Sequence, residues 1–253
     1  MAVINVTPDS FSGDGVTSVE QALRLAERFA AAGADFVDIG GESTRPGSDP
    51  LGRQQELERV LPVVEAIAAR IDIPLSIDTY KEPVARAALD AGADIVNDIW
   101  GFRHDEAMAP LCAERTAPAV VMHNQRGRPH GDVVGDVLAG WRESLDRARS
   151  AGLDEELVIL DPGFGFGWEV DENLEMLARL GELRVAGRPI LLGTSRKSTL
   201  GAITGRPVEG RLAATAATVA LAITAGADIV RVHDVEFMAD VCRMADAVAR
   251  HRA

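Results

Sequence analysis

The sequence predicts an α/β protein built as a single closed (β/α)8 TIM barrel, and three observations carry that expectation. Short apolar, β-branched runs alternate with longer amphipathic stretches, which implies parallel strands joined by helical crossovers. The segment Ala32-Gly33-Ala34-Asp35-Phe36-Val37 returns as Ala91-Gly92-Ala93-Asp94-Ile95-Val96 and as Ala225-Gly226-Ala227-Asp228-Ile229-Val230. These copies are spaced close to two and four turns of a roughly 30-residue βα unit. A length of 253 residues accommodates eight such units.

The elements follow in order. Ala2–Val6 is the first strand candidate, and Val19–Ala32 reads as an amphipathic helix that stops at Gly33. Glycine there takes the left-handed conformation without a Cβ clash, and the same argument serves Gly92 and Gly226. Phe36–Gly40 is the second strand and Arg53–Arg70 the next helix. Leu75–Asp78, Ile95–Ile99 and Ala119–His123 are strands three to five, before a helix at Val134–Ala151. Leu157–Asp161 and Pro189–Gly193 follow, then a helix at Leu212–Ala225 and the eighth strand, Ile229–His233. No linker or low-complexity segment divides the chain, so residues 1–253 read as one domain. A doubly wound open sheet is the alternative, but it would bind its ligand through a Gly-rich first turn. Asn5-Val6-Thr7-Pro8-Asp9-Ser10 is not such a turn.

Composition narrows the function classes. Hydrophobic content of 47% and charged content of 26% suit a soluble globular protein. No apolar run approaches the roughly 20 residues that span a bilayer. The start of the chain carries neither a basic segment nor a cleavage signature, so a cytoplasmic location is expected. Cys112 and Cys242 make no disulfide framework and read as structural thiols in a reducing compartment. A net charge of −13 argues against a nucleic-acid partner, which needs an extended basic surface. Only Lys81 and Lys197 stand against 24 arginines, which hints that those two positions need a compact ammonium.

Each strand candidate begins apolar and turns polar at its C-terminal end. The polar residues are Asn5, Asp38, Asp78, Asn97, His123 and Asp161, then Ser195 to Lys197, then Arg231 and His233. Barrel active sites gather at that rim, because strand ends and βα loops converge there. Arg231 and His233, two apart on one strand, project to the same side. One such residue would be an ordinary strand-end cap; polar residues on nearly every strand imply a shared site.

Asn5-Val6-Thr7-Pro8-Asp9-Ser10-Phe11-Ser12 resembles the opening signature of the dihydropteroate synthases, and Gly40-Gly41-Glu42-Ser43-Thr44-Arg45-Pro46-Gly47 resembles their second. Ile77-Asp78-Thr79, Val96-Asn97-Asp98-Ile99, Met122-His123-Asn124, Asp161-Pro162-Gly163-Phe164-Gly165-Phe166, Ser195-Arg196-Lys197-Ser198 and Arg231-Val232-His233-Asp234 complete the series in order. The resemblance implies an enzyme of folate biosynthesis that joins a pterin diphosphate to p-aminobenzoate and is the target of sulfonamides.

It further implies that Asp78, Asn97, Asp161 and Lys197 hold the pterin. Ile99, Met122 and Phe166 would sandwich the ring, with Gly193 beside it and Arg231 stacked on it. The chemistry agrees, because a carboxylate can accept the two adjacent N–H groups of an aminopyrimidinone edge as a bidentate pair. Diphosphate contacts fall to Asn5, Thr44, Arg45, Arg231 and His233, with the Asn5 amide meeting an accompanying Mg²⁺. Mg²⁺ commonly takes few protein ligands, with phosphate oxygens and water completing its octahedron. The p-aminobenzoate pocket is implied for Phe11, Thr44, Pro46, Phe166, Lys197 and Ser198.

Asp9 and Phe11 belong to one mobile loop of the resemblance and Thr44, Arg45 and Pro46 to another. Catalytic parts fall to Asp9, Arg45, Lys197, Arg231 and His233. The expected reaction breaks the C–O bond to diphosphate first, so leaving-group stabilisation and amine positioning are the protein's share. Gly13, Gly15, Gly40, Gly41 and Gly47 read either as hinges of these loops or as plain turn residues.

The resemblance also implies a homodimer packed through the later helices. Some features depart from the pattern. Little precedes the first strand, which puts the plug of the barrel bottom in question. Gly13-Asp14-Gly15 leaves the acidic partner on the first loop open between Asp9 and Asp14. Trp168 reads as a lid aromatic or as an apolar contact beneath a loop. Three other activities compete: a pterin-dependent corrinoid methyltransferase, a Schiff-base aldolase using Lys197, and a catalytically silent pterin binder.

Overall fold

The computed structural model describes residues 1–6, 15–43 and 50–251. Asp9, Phe11, Thr44, Arg45 and Pro46 lie outside them, as do Gly13, Asp14 and Gly47.

Eight short strands alternate with helices: β1 (Ala2–Asn5), β2 (Val37–Gly40), β3 (Leu75–Asp78), β4 (Ile95–Asp98), β5 (Ala119–Met122), β6 (Val158–Asp161), β7 (Leu191–Leu192) and β8 (Ile229–Val230). β1 to β6 pair in sequence order, all parallel, and β7 pairs with β8. Two further contacts close the ring. Leu160 bridges Ile190, joining β6 to β7, and Ala2 bridges Val232, joining β8 to β1. At that second seam Val3 N donates to Val232 O at 3.1 Å and Val232 N to Met1 O at 3.0 Å. A doubly wound open sheet would leave two unpaired edges; this ring leaves none, and the barrel expectation holds. β7 and β8 are shorter than the sequence predicts: their backbone bonding ends with Arg231 N to Leu192 O at 3.1 Å, and His233 N donates instead to the Ser195 side chain, to Oγ at 3.3 Å.

Strand alternation sorts the side chains. Val37, Ile39, Leu75, Ile77, Val96, Val121 and Leu160 point outward and form one cluster with the helices. Each such aliphatic, fully buried, stabilises the fold by about 1.5–3 kcal/mol. Inside, Met1, Ile95, Val120 and Leu191, with Phe36, Ile159 and Ile229 packed against them, fill the lower half of the barrel. Two residues further along those strands stand Asp38, Asn97, Met122, Asp161, Gly193 and Arg231, and β3 supplies Asp78 above Ser76. A dry apolar floor therefore lies beneath a polar upper layer.

The helices are α1 (Val19–Ala31), α2 (Arg53–Ala68), α3 (Glu82–Asp90), α4 (Met108–Arg115), α5 (Val133–Ser150), α6 (Val170–Ala178), α7 (Ser198–Thr204), α8 (Leu212–Thr224) and α9 (Val235–Arg250). Ser18 caps α1 through a bond from Gln21 N, and Asp132 caps α5 through one from Gly135 N. Gly33, Gly92 and Gly226 follow their helices at φ of 92°, 108° and 104°, the left-handed stops the repeat predicts. Gly41 is not in the left-handed region: a Cβ there would sit 2.6 Å from Val60 Cγ1, so its size lets α2 approach β2. No helix among the described residues is long and apolar enough to cross a membrane.

Candidate active site

The mouth of the barrel holds one cavity lined by Asp78, Asn97, Ile99, Met122, Asp161, Phe164, Phe166, Gly193, Ser195, Lys197, Arg231 and His233. All of the pterin residues expected from the sequence are among them.

Arg231 crosses the interior. Its Nε donates to Asp38 Oδ2 at 2.6 Å and its Nη2 to Asp78 Oδ2 at 2.8 Å. Asn97 Nδ2 donates to the same Asp38 oxygen at 3.0 Å. A carboxylate only accepts hydrogen bonds, so this contact fixes the Asn97 amide with its nitrogen toward Asp38. Burial pushes the Asp78 carboxyl up to about 7, against the pull of Arg231. Arg231 itself is held above the usual guanidinium range, where burial is outweighed by Asp38 and Asp78.

Asp161 and Lys197 form the second half. Asp161 Oδ1 accepts Gly163 N at 2.7 Å, and the Asp161 carbonyl accepts Trp141 Nε1 from α5 at 3.0 Å. Burial raises the Asp161 carboxyl to about 6. Lys197 Nζ donates to Phe164 O at 2.8 Å and stands 4.0 Å from the Phe166 ring centroid. Burial pushes its ammonium down to about 7, a loss that Asp161 partly offsets. The chain reaches Lys197 through Arg196, a non-glycine residue at φ 58°. That conformation costs roughly 1–2 kcal/mol, and a bidentate ion pair braces it: Arg196 Nε to Asp234 Oδ2 at 3.0 Å and Nη2 to Oδ1 at 2.5 Å. At the rim, His233 Nδ1 lies 2.9 Å from Ser195 Oγ.

Other expectations separate. Asn5 ends β1 half-buried and does not line the cavity, although alternation turns it inward on the strand next to Arg231 and His233. Ser198 is exposed at the start of α7. His123 faces outward beneath α5, where burial lowers it to about 4 and Nε2 meets Gln125 Oε1 at 2.7 Å. Trp168 is buried, 5.7 Å from the His123 ring, so the apolar contact beneath the loop is correct. Lys81 pairs with Glu42 and Glu56, away from the cavity. Cys112 and Cys242 are unpaired.

Three residues gained a place at the site that sequence reasoning did not assign. Phe164 offers its carbonyl to Lys197, Arg126 lies 5.0 Å from the Phe166 centroid, and Asp38 links Arg231 to Asn97. Asp38 was visible as a strand-end polar residue; its partners were not. Among the described residues no three His, Cys, Asp or Glu gather as a metal centre. Asn5 contributes one neutral hard oxygen, which fits Mg²⁺ held mainly by a ligand's phosphate oxygens and water.

The profile of the pterin-binding enzymes matches residues 1–233. The dihydropteroate synthase of Bacillus subtilis is 46% identical over 249 residues, covering 98% of this chain and 87% of its own. Among solved structures, Xanthomonas albilineans dihydropteroate synthase with 4-aminobenzoic acid superposes with a TM-score of 0.92 at 43% identity, covering 98% of this chain and 92% of the other. A Coxiella burnetii dihydropteroate synthase in complex with pteroic acid gives 0.91 at 36% identity, with coverage of 98% and 92%. With a mouth of half-buried carboxylates facing one lysine, and likeness running over nearly its whole length, this chain belongs to the pterin-binding enzyme family, among the dihydropteroate synthases.

Proposed function

We propose that the chain joins 6-hydroxymethyl-7,8-dihydropterin diphosphate to p-aminobenzoate, giving 7,8-dihydropteroate and diphosphate. The observation that carries this reading is the set of acceptors Asp78, Asn97 and Asp161 around one cavity with the half-buried Lys197. Asp161 suits the two adjacent N–H groups of the aminopyrimidinone edge, and Asp78 the remaining ring N–H. Lys197 donates to the ring carbonyl, and Ile99, Met122 and Phe166 supply apolar faces. Gly193 lines the cavity beside Arg231.

Bond breaking to the diphosphate leaves a methyl cation delocalised over the pterin, and the arylamine nitrogen attacks it and releases a proton. Arg231 and His233 stabilise the departing anion. Asn5 would hold Mg²⁺, which when bound supplies positive charge to the diphosphate. The parts given to Asp9, Arg45, Phe11, Thr44 and Pro46 rest on the sequence resemblance alone, and Ser198 would join the arylamine contacts from the rim. The Ser195-Arg196-Lys197-Ser198 segment favours the synthase over a corrinoid methyltransferase.

A homodimer and a cytoplasmic setting complete the reading. α8 and α9 expose Leu221, Phe237, Met244 and Val248, an apolar surface suited to a second copy. Two unpaired thiols suit a reducing compartment.

The test is diphosphate release by purified protein with Mg²⁺, the pterin diphosphate and p-aminobenzoate. A p-aminobenzoate-dependent signal that disappears in Lys197→Ala and Asp161→Ala supports the synthase. Tight pterin binding without turnover would mean a silent binder.

A further inference from the structure

We propose that Asp38 is a positioning residue: it is the permanent counter-ion that keeps Arg231 and Asn97 in place when a ligand engages Asp78. The inference rests on the synthase reading. Asp38 is fully buried inside the barrel on β2, facing neither solvent nor the cavity lining.

Its partners set it apart from Asp98, the other buried aspartate among the described residues. Asp98 accepts Trp100 N at 2.8 Å and Phe102 N at 2.7 Å, so that carboxylate holds backbone. Asp38 accepts only from side chains, Arg231 Nε and Asn97 Nδ2, both on one oxygen. Its other oxygen, Oδ1, is buried without a partner among the described residues. A carboxylate half-used in this way is a poor stabiliser of the fold, because its desolvation is incompletely offset. What it orients accounts for it better.

The guanidinium geometry divides the labour. Nε and Nη2 form one edge of the fork, and each goes to a different carboxylate, Asp38 and Asp78. Of the five N–H donors of an arginine, the other three have no acceptor among the described residues and are available to an anion. Asp78 lines the cavity and is shared once a ligand N–H arrives; Asp38 lies behind it and is not. Without Asp38, ligand binding at Asp78 would compete directly with the hold on Arg231. The same carboxylate keeps Asn97 Oδ1, which has no partner among the described residues, available as an acceptor.

The experiment is a double-mutant cycle with Asp38→Asn and Arg231→Ala. It reads kcat/KM for diphosphate release together with the Kd of the pterin alcohol that lacks the diphosphate. Asp38→Asn is expected to lower kcat/KM by about 10–100-fold, as orienting partners behind a site do. In the Arg231→Ala background the same change should cost clearly less, the remainder being the part that acts through Asn97. Equal losses in both backgrounds overturn the proposal. So does failure of both Asp38→Asn and a second variant, Asp38→Ser, to fold or to bind the pterin alcohol, which would make Asp38 a determinant of the fold. Wild type that neither binds the pterin alcohol nor releases diphosphate removes the synthase reading and this inference with it, a result distinct from either variant's failure.

Discussion

Lys197 shows how burial tunes a single residue for its task. Its ammonium, pushed down to about 7, faces carboxyls raised to about 7 at Asp78 and about 6 at Asp161. The acids must be ionised to accept ligand N–H groups, so binding is lost as pH falls through those values. Lys197 must be protonated to donate, so binding is lost as pH rises through its own. The kcat/KM profile for the pterin substrate is therefore expected to be a bell centred near neutrality, since kcat/KM reports the groups of the unliganded enzyme. In Lys197→Met the alkaline limb should vanish while the acid limb stays, with kcat/KM lower by about 10–100-fold for the lost charged hydrogen bond. An alkaline limb that survives the substitution would belong to another group. The residue types at the site were legible in the sequence, because Asp78, Asn97, Asp161 and Arg231 stand at strand ends and Lys197 in the segment just after the seventh strand. The ion pairs were not: Asp38 and Arg231 lie on the second and last strands, and only closure of the ring brings them to 2.6 Å.

At the scale of elements, the turn after β6 couples backbone conformation to the site. Gly163 has φ 78°, and a Cβ there would fall 1.9 Å from the His123 carbonyl oxygen. Its N–H also holds Asp161 Oδ1. Gly163→Ala is expected to destabilise the protein by at least about 2 kcal/mol, from the left-handed strain and the clash together. Thermal unfolding should show a Tm lower by several degrees, with weakened pterin affinity because Asp161 shifts. An unchanged Tm would mean that the turn can reorganise freely. Strand and helix positions were legible to within a residue or two for most elements, since inward–outward alternation and glycine stops are local signals. β7 and β8 were over-read, because the strand pattern continues to His233 although the last backbone bond between them is that of Arg231 N to Leu192 O.

The whole molecule leaves one face unexplained by the barrel. Phe237 and Met244 on α9 are 50% and 64% exposed beside Leu221 of α8. Wild type is expected to sediment as two chains, and Phe237→Glu, which places a charge in that apolar surface, as one. A wild-type monomer at micromolar concentration would sink the dimer. Read alone, the sequence determined the fold class, the order of elements and the set of polar strand ends, because periodicity and glycine stops act over a few residues. Only the tertiary structure decided which polar groups are partners, that Gly41 serves packing and His123 faces away from the cavity, and that Asp38 stands behind the site. Those outcomes depend on burial and on contacts between residues far apart in the chain, and neither exists until the eighth strand closes against the first.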